Sequence, residues 1–461
     1  MMLDSMDIPR ILRRALAGGG EFSDIYFEEG TSTSIVCEDG KIEKIIAGTD
    51  RGVGIRVISD LRTAYAFTNE ITEKALLALA DTVSRAVRGK EFGAPIDLRT
   101  KMVGPGFVIR TSPETVPLQD KVALVRRADD AARRMDERVR QVMVVYRDGR
   151  VRTQIANSLG EFIETGRTGT VFLAQVVAAQ GDVIQTGYEP VGGFRGFELF
   201  DEKSPEEVAH AAAGRAVMML TARKAPAGMM PVVISSEAGG TMVHEAIGHG
   251  LEADLVQAGM SVYAGKVGTQ VASPLVTVID DSTIPNCRGS YSFDDEGISG
   301  RRNVLVENGV LKGYLYDRLS AMKDGCESTG NGRRESYHAR PIVRMSNTLI
   351  APGDTSPESI IREVERGLLV RKMGGGQVNT VNGDFVFEVS EGYLIENGAV
   401  GEPVRGATLT GNGPEVLKKV TKIGTDLGFG IGTCGKDGQG APVSDAQPTL
   451  LISGMTVGGA V

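Results

Sequence analysis

Thr241-Met-Val-His-Glu-Ala-Ile-Gly-His-Gly-Leu-Glu-Ala-Asp254 gathers His244, Glu245 and His249 within six residues, in a chain that has only four histidines. Two imidazoles with a carboxylate directly after the first are the residue pattern of a hydrolytic metal site. The spacing is HExxxH, one residue longer than the familiar HExxH. At about 100° per residue, i and i+4 stand nearly above one another on a helix, whereas i and i+5 are about 140° apart. A regular α-helix would therefore splay the two rings. The spacing predicts a helix that widens into a π-turn, or bends near Gly248, where Gly248 and Gly250 make a departure cheap. The alternative is a plain helix with two incidental histidines.

Around this stretch, 461 residues suffice for two or three domains with substantial cores. Gly is frequent at 60, aromatics are scarce at 5%, and Trp is absent, which favours turns and hairpins over a helical bundle. A net charge of −8 provides no general phosphate-attracting field, so nucleic acid is not expected as a partner. Cys37, Cys287, Cys326 and Cys434 are scattered without a CxxC pair, which fits a reducing compartment. Residues 1–14 lack a signal-peptide core and no apolar run is long enough to span a bilayer. The expectation is a cytoplasmic protein with no membrane association.

Upstream, the periodicity predicts an α+β fold. A short helix over 6–18 precedes period-two runs at 24–29, 31–38, 41–46 and 53–59, punctuated by Gly30, Asp39-Gly40 and Gly48 as turns, then a strand at 62–67 and a helix at 69–88. A Pro/Gly stretch over 93–117 leads to a helix at 118–138 and strands near 140–147, 150–157, 161–166 and 169–181. This order reads as a pseudo-repeated β-meander/helix domain. A helix at 204–223, opened by Ser204-Pro-Glu-Glu, ends it before a hinge at 224–231. Downstream the chain is strand-rich, with Glu307-Asn308-Gly309 and Glu396-Asn397-Gly398 as hairpin turns and helices at 356–367 and 414–425. The expected division is an N-terminal α+β domain, 1–223, and a strand-rich C-terminal domain, 224–461, carrying the metal-site helix.

Two histidines leave a zinc-type ion short of protein ligands, since catalytic sites supply three and keep one position open. Glu252 and Asp254 are local candidates for the third; Cys287, Cys326, Cys434 and His338 are remote ones. Cys434 has the most suggestive setting, Gly430-Ile-Gly-Thr-Cys-Gly-Lys436, where glycines let the backbone pass close to an ion. Glu245 should flank the ion rather than bind it. From there it could take a proton from a water whose pKa the metal lowers to about 7.

The motif from Thr241 to Asp254 closely resembles that of the TldD/PmbA family of metalloproteases. So do Phe293-Asp-Asp-Glu-Gly297, the hairpin from Leu305 to Leu315, the run from Arg333 to Thr348, Gly374-Gly-Gly-Gln-Val-Asn379, Phe387-Glu-Val389, Val404-Arg-Gly-Ala-Thr-Leu409 and the Gly432-Thr-Cys-Gly-Lys436 loop. Because HExxxH is present, the chain looks like the TldD type, not the PmbA/TldE type that usually lacks those residues and serves as a partner. The resemblance implies His244, His249 and Cys434 as metal ligands, Glu245 as general base, and Zn2+ or another divalent transition metal. It implies hydrolysis of extended or unfolded peptides, such as peptide precursors or degradation intermediates, by a homodimer or a heterodimer with a PmbA/TldE-type relative. His338 and Tyr337 are candidates for stabilising an oxyanion. The rival expectations are a metal-dependent amidase acting on small molecules, and a non-catalytic peptide-binding partner subunit of such a dimer.

Overall fold

The computed structural model describes residues 3, 6–87, 96–98, 100–104 and 106–459. The expected helix end at Arg88 and linker start at Gly93 lie outside these. In the N-terminal half, α1 (Ile8–Ala15) is capped by Asp7, and β1 (Phe22–Glu38), β2 (Lys41–Ser59) and β3 (Arg62–Thr68) lead to α2 (Glu73–Arg85). After β4 (Thr100–Val103) the order recurs: α3 (Leu118–Met135), β5 (Val139–Asn157), β6 (Glu161–Gln180), β7 (Val183–Gly193) and α4 (Pro205–Thr221). All seven strands form one sheet, β3-β2-β1-β5-β6, with β7 and β4 both on β6. Because β1 and β5 pair antiparallel at the centre, the two helix–meander–helix units are related by a pseudo-two-fold. The fold is α+β, and the repeat read from the element order is real.

The strands are longer than the sequence periodicity predicts. Gly30, expected as a turn, lies inside β1 opposite Asp50 and Val151; of the three expected turns, only Asp39-Gly40 reverses the chain. The pairs at 140–157 and 161–181 likewise fuse into β5 and β6. Mid-strand glycine serves close approach instead of reversal: a Cβ on Gly149 would stand 3.1 Å from the Thr31 carbonyl oxygen of the neighbouring strand. The capping box at Ser204, with Glu207 reaching back, starts α4 where the sequence places it.

The C-terminal half contains β8 (Arg223–Lys224), β9 (Gly228–Ile234), β10 (Val278–Asp281), β11 (Arg302–Glu307), β12 (Val310–Leu311), β13 (Asn347–Ile350) and β14 (Arg366–Val378). It continues with β15 (Asp384–Glu396), β16 (Ala399–Arg405), β17 (Thr408–Asn412), β18 (Val420–Ile423), β19 (Gly428–Lys436), β20 (Gln439–Gln447) and β21 (Leu450–Gly458). One sheet runs β12-β11-β10-β13-β20-β19. The other runs β14-β9-β21-β17-β15-β16-β8, with β18 on β21; β14 also pairs with β15, so five strands close into a ring. Asn308 and Asn397 are left-handed at φ 49° and 51°, each followed by a left-handed glycine, as the two Asn-Gly hairpins require. Part of the expected hinge is strand: Pro231 sits in β9 where the pairing to β21 bulges, a position that needs no N–H. The helices expected at 356–367 and 414–425 are shorter, Pro357–Arg362 and Gly413–Lys418, because the β-branched and apolar residues after them enter β14 and β18.

One core runs between the two C-terminal sheets. It packs Val232, Ile234, Leu368, Phe387 and Ile452 against Met242, Val243, Ala246 and Ile247 of the motif segment. The functional stretch is thus itself part of the core. Arg56 of β2, 1% exposed, ties the halves together by bridging Asp24 of β1 to Glu296 beyond β10.

Candidate metal centre

The motif segment enters from Gly239, left-handed at φ 69°, and makes one α-turn over Thr241–Val243. His244–Gly248 is then a π-turn, in which the His249 N–H donates to the His244 carbonyl, and His249–Leu251 tightens to a 3-10 turn. The wide turn arises from local packing. Gly248 lies against Met345, where a Cβ would meet Sδ at 2.2 Å. Tyr263 donates its hydroxyl to the Ala246 carbonyl at 3.0 Å, satisfying an acceptor inside the turn. As the spacing demanded, the two rings face each other, with centroids 5.0 Å apart and planes at 89°.

Cys434 arrives on β19, the last strand of its sheet. Its Sγ stands 3.3 Å from His249 Nε2, and one ligand atom each from His244, His249 and Cys434 lie within 4.8 Å of one another. The buried Arg344 guanidinium donates to the Cys434 carbonyl and, at 3.1 Å, to that of Gln439, which pins the β19–β20 turn. On the far side of His249, Nδ1 meets Glu252 Oε2 at 3.0 Å. Of the candidate third ligands, Glu252 therefore lies behind an imidazole, and Asp254 holds Lys436 at 2.7 Å.

The donor set fits a zinc-type ion. Tetrahedral coordination at about 2.0–2.3 Å separates ligand atoms by roughly 3.3–3.8 Å, and Cys434 Sγ and His249 Nε2 stand 3.3 Å apart. Three ligands leave one position for water or substrate, and His244 Nδ1 is buried with no hydrogen-bond partner among the described residues. Electrostatics favour the same set. Burial pushes the Cys434 thiol up, but the two imidazoles outweigh it and bring it down to about 5. Burial lowers His244 and His249, yet the thiolate raises the first, and Glu252 with the thiolate raises the second. Glu245 is half-buried beside the cluster; desolvation raises its carboxyl, tempered by the nearby imidazoles.

The other candidates lie elsewhere. Tyr337 and His338 are not in the cluster: the Tyr337 hydroxyl donates to Asp50 at 3.1 Å, Tyr65 donates to the Tyr337 carbonyl at 2.6 Å, and His338 lies over Tyr337 and meets Phe67 edge-on. These contacts seat the N-terminal sheet on the C-terminal half. Cys287 lines a cleft and Cys326 is exposed. The sequence reading passed over Lys436, although it lies two residues past Cys434 and so shares its strand face.

Three family models match the chain in series: PmbA/TldA metallopeptidase domain 1 over residues 23–89, the central domain over 111–220 and the C-terminal domain over 227–459. The chain belongs to the PmbA/TldD metallopeptidase family. It is 37% identical to a metalloprotease TldD homolog of Haemophilus influenzae, over 95% of this chain and 93% of that one. To a metalloprotease of Methanothermobacter thermautotrophicus it is 38% identical, over 95% and 96%. A zinc metalloprotease TldD homolog of Saccharolobus solfataricus is 28% identical, over 98% of this chain and its own full length. Among solved structures, a Thermotoga maritima protein named as a modulator of DNA gyrase superposes with TM-score 0.79 at 25% identity, covering 95% and 96% of the two chains. TldE from Thermococcus kodakarensis superposes with TM-score 0.75 at 20% identity, over 98% and 99%. Among the described residues of this PmbA/TldD-family chain, no helix is long and apolar enough to cross a membrane.

Proposed function

We propose that this chain is a metal-dependent peptidase in which His244, His249 and Cys434 hold Zn2+ or a similar divalent ion and Glu245 is the general base. The convergence of those three ligand atoms within 4.8 Å, with Cys434 arriving from 185 residues beyond His249, carries the reading. A bound ion supplies Lewis acidity that polarises an amide carbonyl and activates water. Glu245, its carboxyl raised by desolvation, takes a proton from the attacking water and passes it to the leaving amine nitrogen. Arg344, donating to the Cys434 carbonyl, holds that backbone in place.

An extended or unfolded peptide is the substrate class that suits the surroundings. A cleft of about 860 Å³, lined in part by Thr241, Cys287, Lys372, Phe429 and Ile431, runs beside β19, whose outer backbone edge ends its sheet. An unpaired edge offers main-chain groups to any extended chain without reading its sequence. The chain works in the cytoplasm as a homodimer or with a PmbA/TldE-type partner; kinship with such proteins supports this.

The test is cleavage of an unstructured polypeptide, read by mass spectrometry, with bound metal measured on the same sample. Wild type should carry metal and cleave, while Glu245→Gln should carry metal and lose at least about 100-fold in rate. Full activity in Glu245→Gln, or inert wild-type protein with stoichiometric metal, would sink the assignment.

A further inference from the structure

Behind His249 lies a set of buried charges that the proposed chemistry does not use. The ring turns Nε2 toward Cys434 Sγ at 3.3 Å and Nδ1 toward Glu252 Oε2 at 3.0 Å. The same Oε2 is 3.2 Å from Lys436 Nζ. Lys436 Nζ is held in turn by both carboxylate oxygens of Asp254 at 2.7 Å and by the Val343 carbonyl at 3.0 Å. The Glu252 side chain is fully buried and that of Lys436 is 8% exposed. An ammonium has three donors, and all three are engaged by the protein here.

The sequence logic is compact. His249-x-x-Glu252-x-Asp254 supplies a ligand and two carboxylates from one turn, and Cys434-x-Lys436 supplies a ligand and the ammonium from one strand face. Each ligand-bearing segment thus carries the charge that fixes the other.

We infer that Glu252 and Lys436 form a positioning pair that commits His249 Nδ1–H to Glu252, presents Nε2 to the ion and so sets the affinity of the site for its metal. This rests on the reading of His244, His249 and Cys434 as ligands. Glu252 acts through His249: a carboxylate behind a ligating imidazole fixes its tautomer and ring plane and raises its basicity. Lys436 holds that carboxylate in register, and Asp254 holds Lys436. A purely structural ion pair pinning the 3-10 turn to β19 would stabilise the chain without touching the metal.

Co2+ separates these roles, because its visible bands report ligand geometry and its thiolate-to-metal band reports the cysteine. Affinity of the full chain for Co2+ is measured by chelator competition, with thermal unfolding of the metal-free protein in parallel. Glu252→Gln removes the charge, and Glu252→Asp keeps it but falls short of Nδ1. Both should bind Co2+ about 10–100-fold more weakly, with shifted bands. Glu402→Gln, in an exposed pair with Arg223, should bind like wild type. If Glu252→Gln does not fold, Glu252→Asp decides. Wild-type affinity within about threefold and unshifted bands in the folded variants, whatever happens to unfolding, would overturn the inference; failure of wild type to bind Co2+ would instead overturn the ligand reading beneath it.

Discussion

Replacing Arg56 with Met tests what holds the N-terminal sheet to the C-terminal half. Arg56 is 1% exposed; its Nε donates to Asp24 Oδ2 at 3.0 Å and its Nη1 to Glu296 Oε1 at 2.5 Å, with Asp24 1% and Glu296 0% exposed. Glu296 keeps one other hydrogen bond, from the Arg318 N–H at 2.6 Å, and stands near Asp294, whose carboxyl burial and Glu296 together hold well above the usual range. Met matches much of the aliphatic stem, so little packing is lost. What is lost is the one cation, among the described residues, that hydrogen-bonds to both carboxylates. Removing one partner of a buried ion pair costs about 3–5 kcal/mol, and two carboxylates losing their shared cation at once places this case near 5, although Arg318 still faces Glu296. For a chain of this size, about 1–2 °C of melting temperature corresponds to each kcal/mol, which gives a drop of roughly 5–10 °C. Differential scanning calorimetry measures it, and the Arg56→Met/Asp24→Asn/Glu296→Gln triple variant should recover most of the loss, because the buried charges go together. A single variant melting within about 1 °C of wild type, or a triple variant no better than the single, would refute the reasoning.

Three further outcomes are expected. Asp317 caps the helix at Arg318–Asp324 by accepting from Ser320 N at 2.8 Å, while burial and Glu296 hold its carboxyl up at about 6. Its native form prefers the proton, so its contribution is complete below about pH 4 and is lost as pH rises through about 6; Asp317→Asn should melt higher than wild type at pH 7.5, by up to about 2–3 kcal/mol, and gain nothing at pH 4. An equal gain at both values would contradict this. Gly52→Ala would set a Cβ 2.1 Å from the Tyr337 ring, so it should destabilise the chain by about 1–3 kcal/mol and be rescued by Tyr337→Ala in calorimetry. Cys434→Ser should lower bound metal at least about tenfold by elemental analysis while leaving the fold intact by circular dichroism; undiminished metal would remove Cys434 from the ligand set.

The parts of this molecule legible in its sequence are those set by short-range geometry. Asn-Gly between apolar runs fixed both hairpins, Ser204-Pro-Glu-Glu marked a helix start to the residue, and the recurrence of helix and meander gave the pseudo-repeat. At Gly30 and Gly48 the chain continues as strand instead of reversing, because a glycine in the middle of a coiled sheet and one at its end look alike until the neighbouring strand is known. Tyr337 and His338 show a related ambiguity. A polar aromatic pair beside arginines suits an oxyanion pocket and an interface equally, and the contact to Asp50 that makes it part of the interface spans 287 residues. The proposed third ligand could not be chosen among Cys287, Cys326, Cys434, His338 and two carboxylates from composition alone, since the contact that brings Cys434 to His249 spans 185 residues.

The five-residue histidine spacing is where local and distant information meet. In an α-helix the N–H of i+4 closes on the carbonyl of i, which is why HExxH stacks its imidazoles; in a π-turn the N–H of i+5 does so, and HExxxH acquires the same stacking. The His249 N–H to His244 carbonyl bond is that closure. A π-turn is disfavoured on its own, so the surrounding protein must supply its stabilisation. Here Tyr263 satisfies the Ala246 carbonyl, Met345 fills the space where Gly248 has no side chain, and Lys436 with Glu252 fixes the ring that follows. The extra residue in the motif is therefore matched by contacts from three other segments, and the spacing and those contacts form one device for presenting two imidazoles to one point.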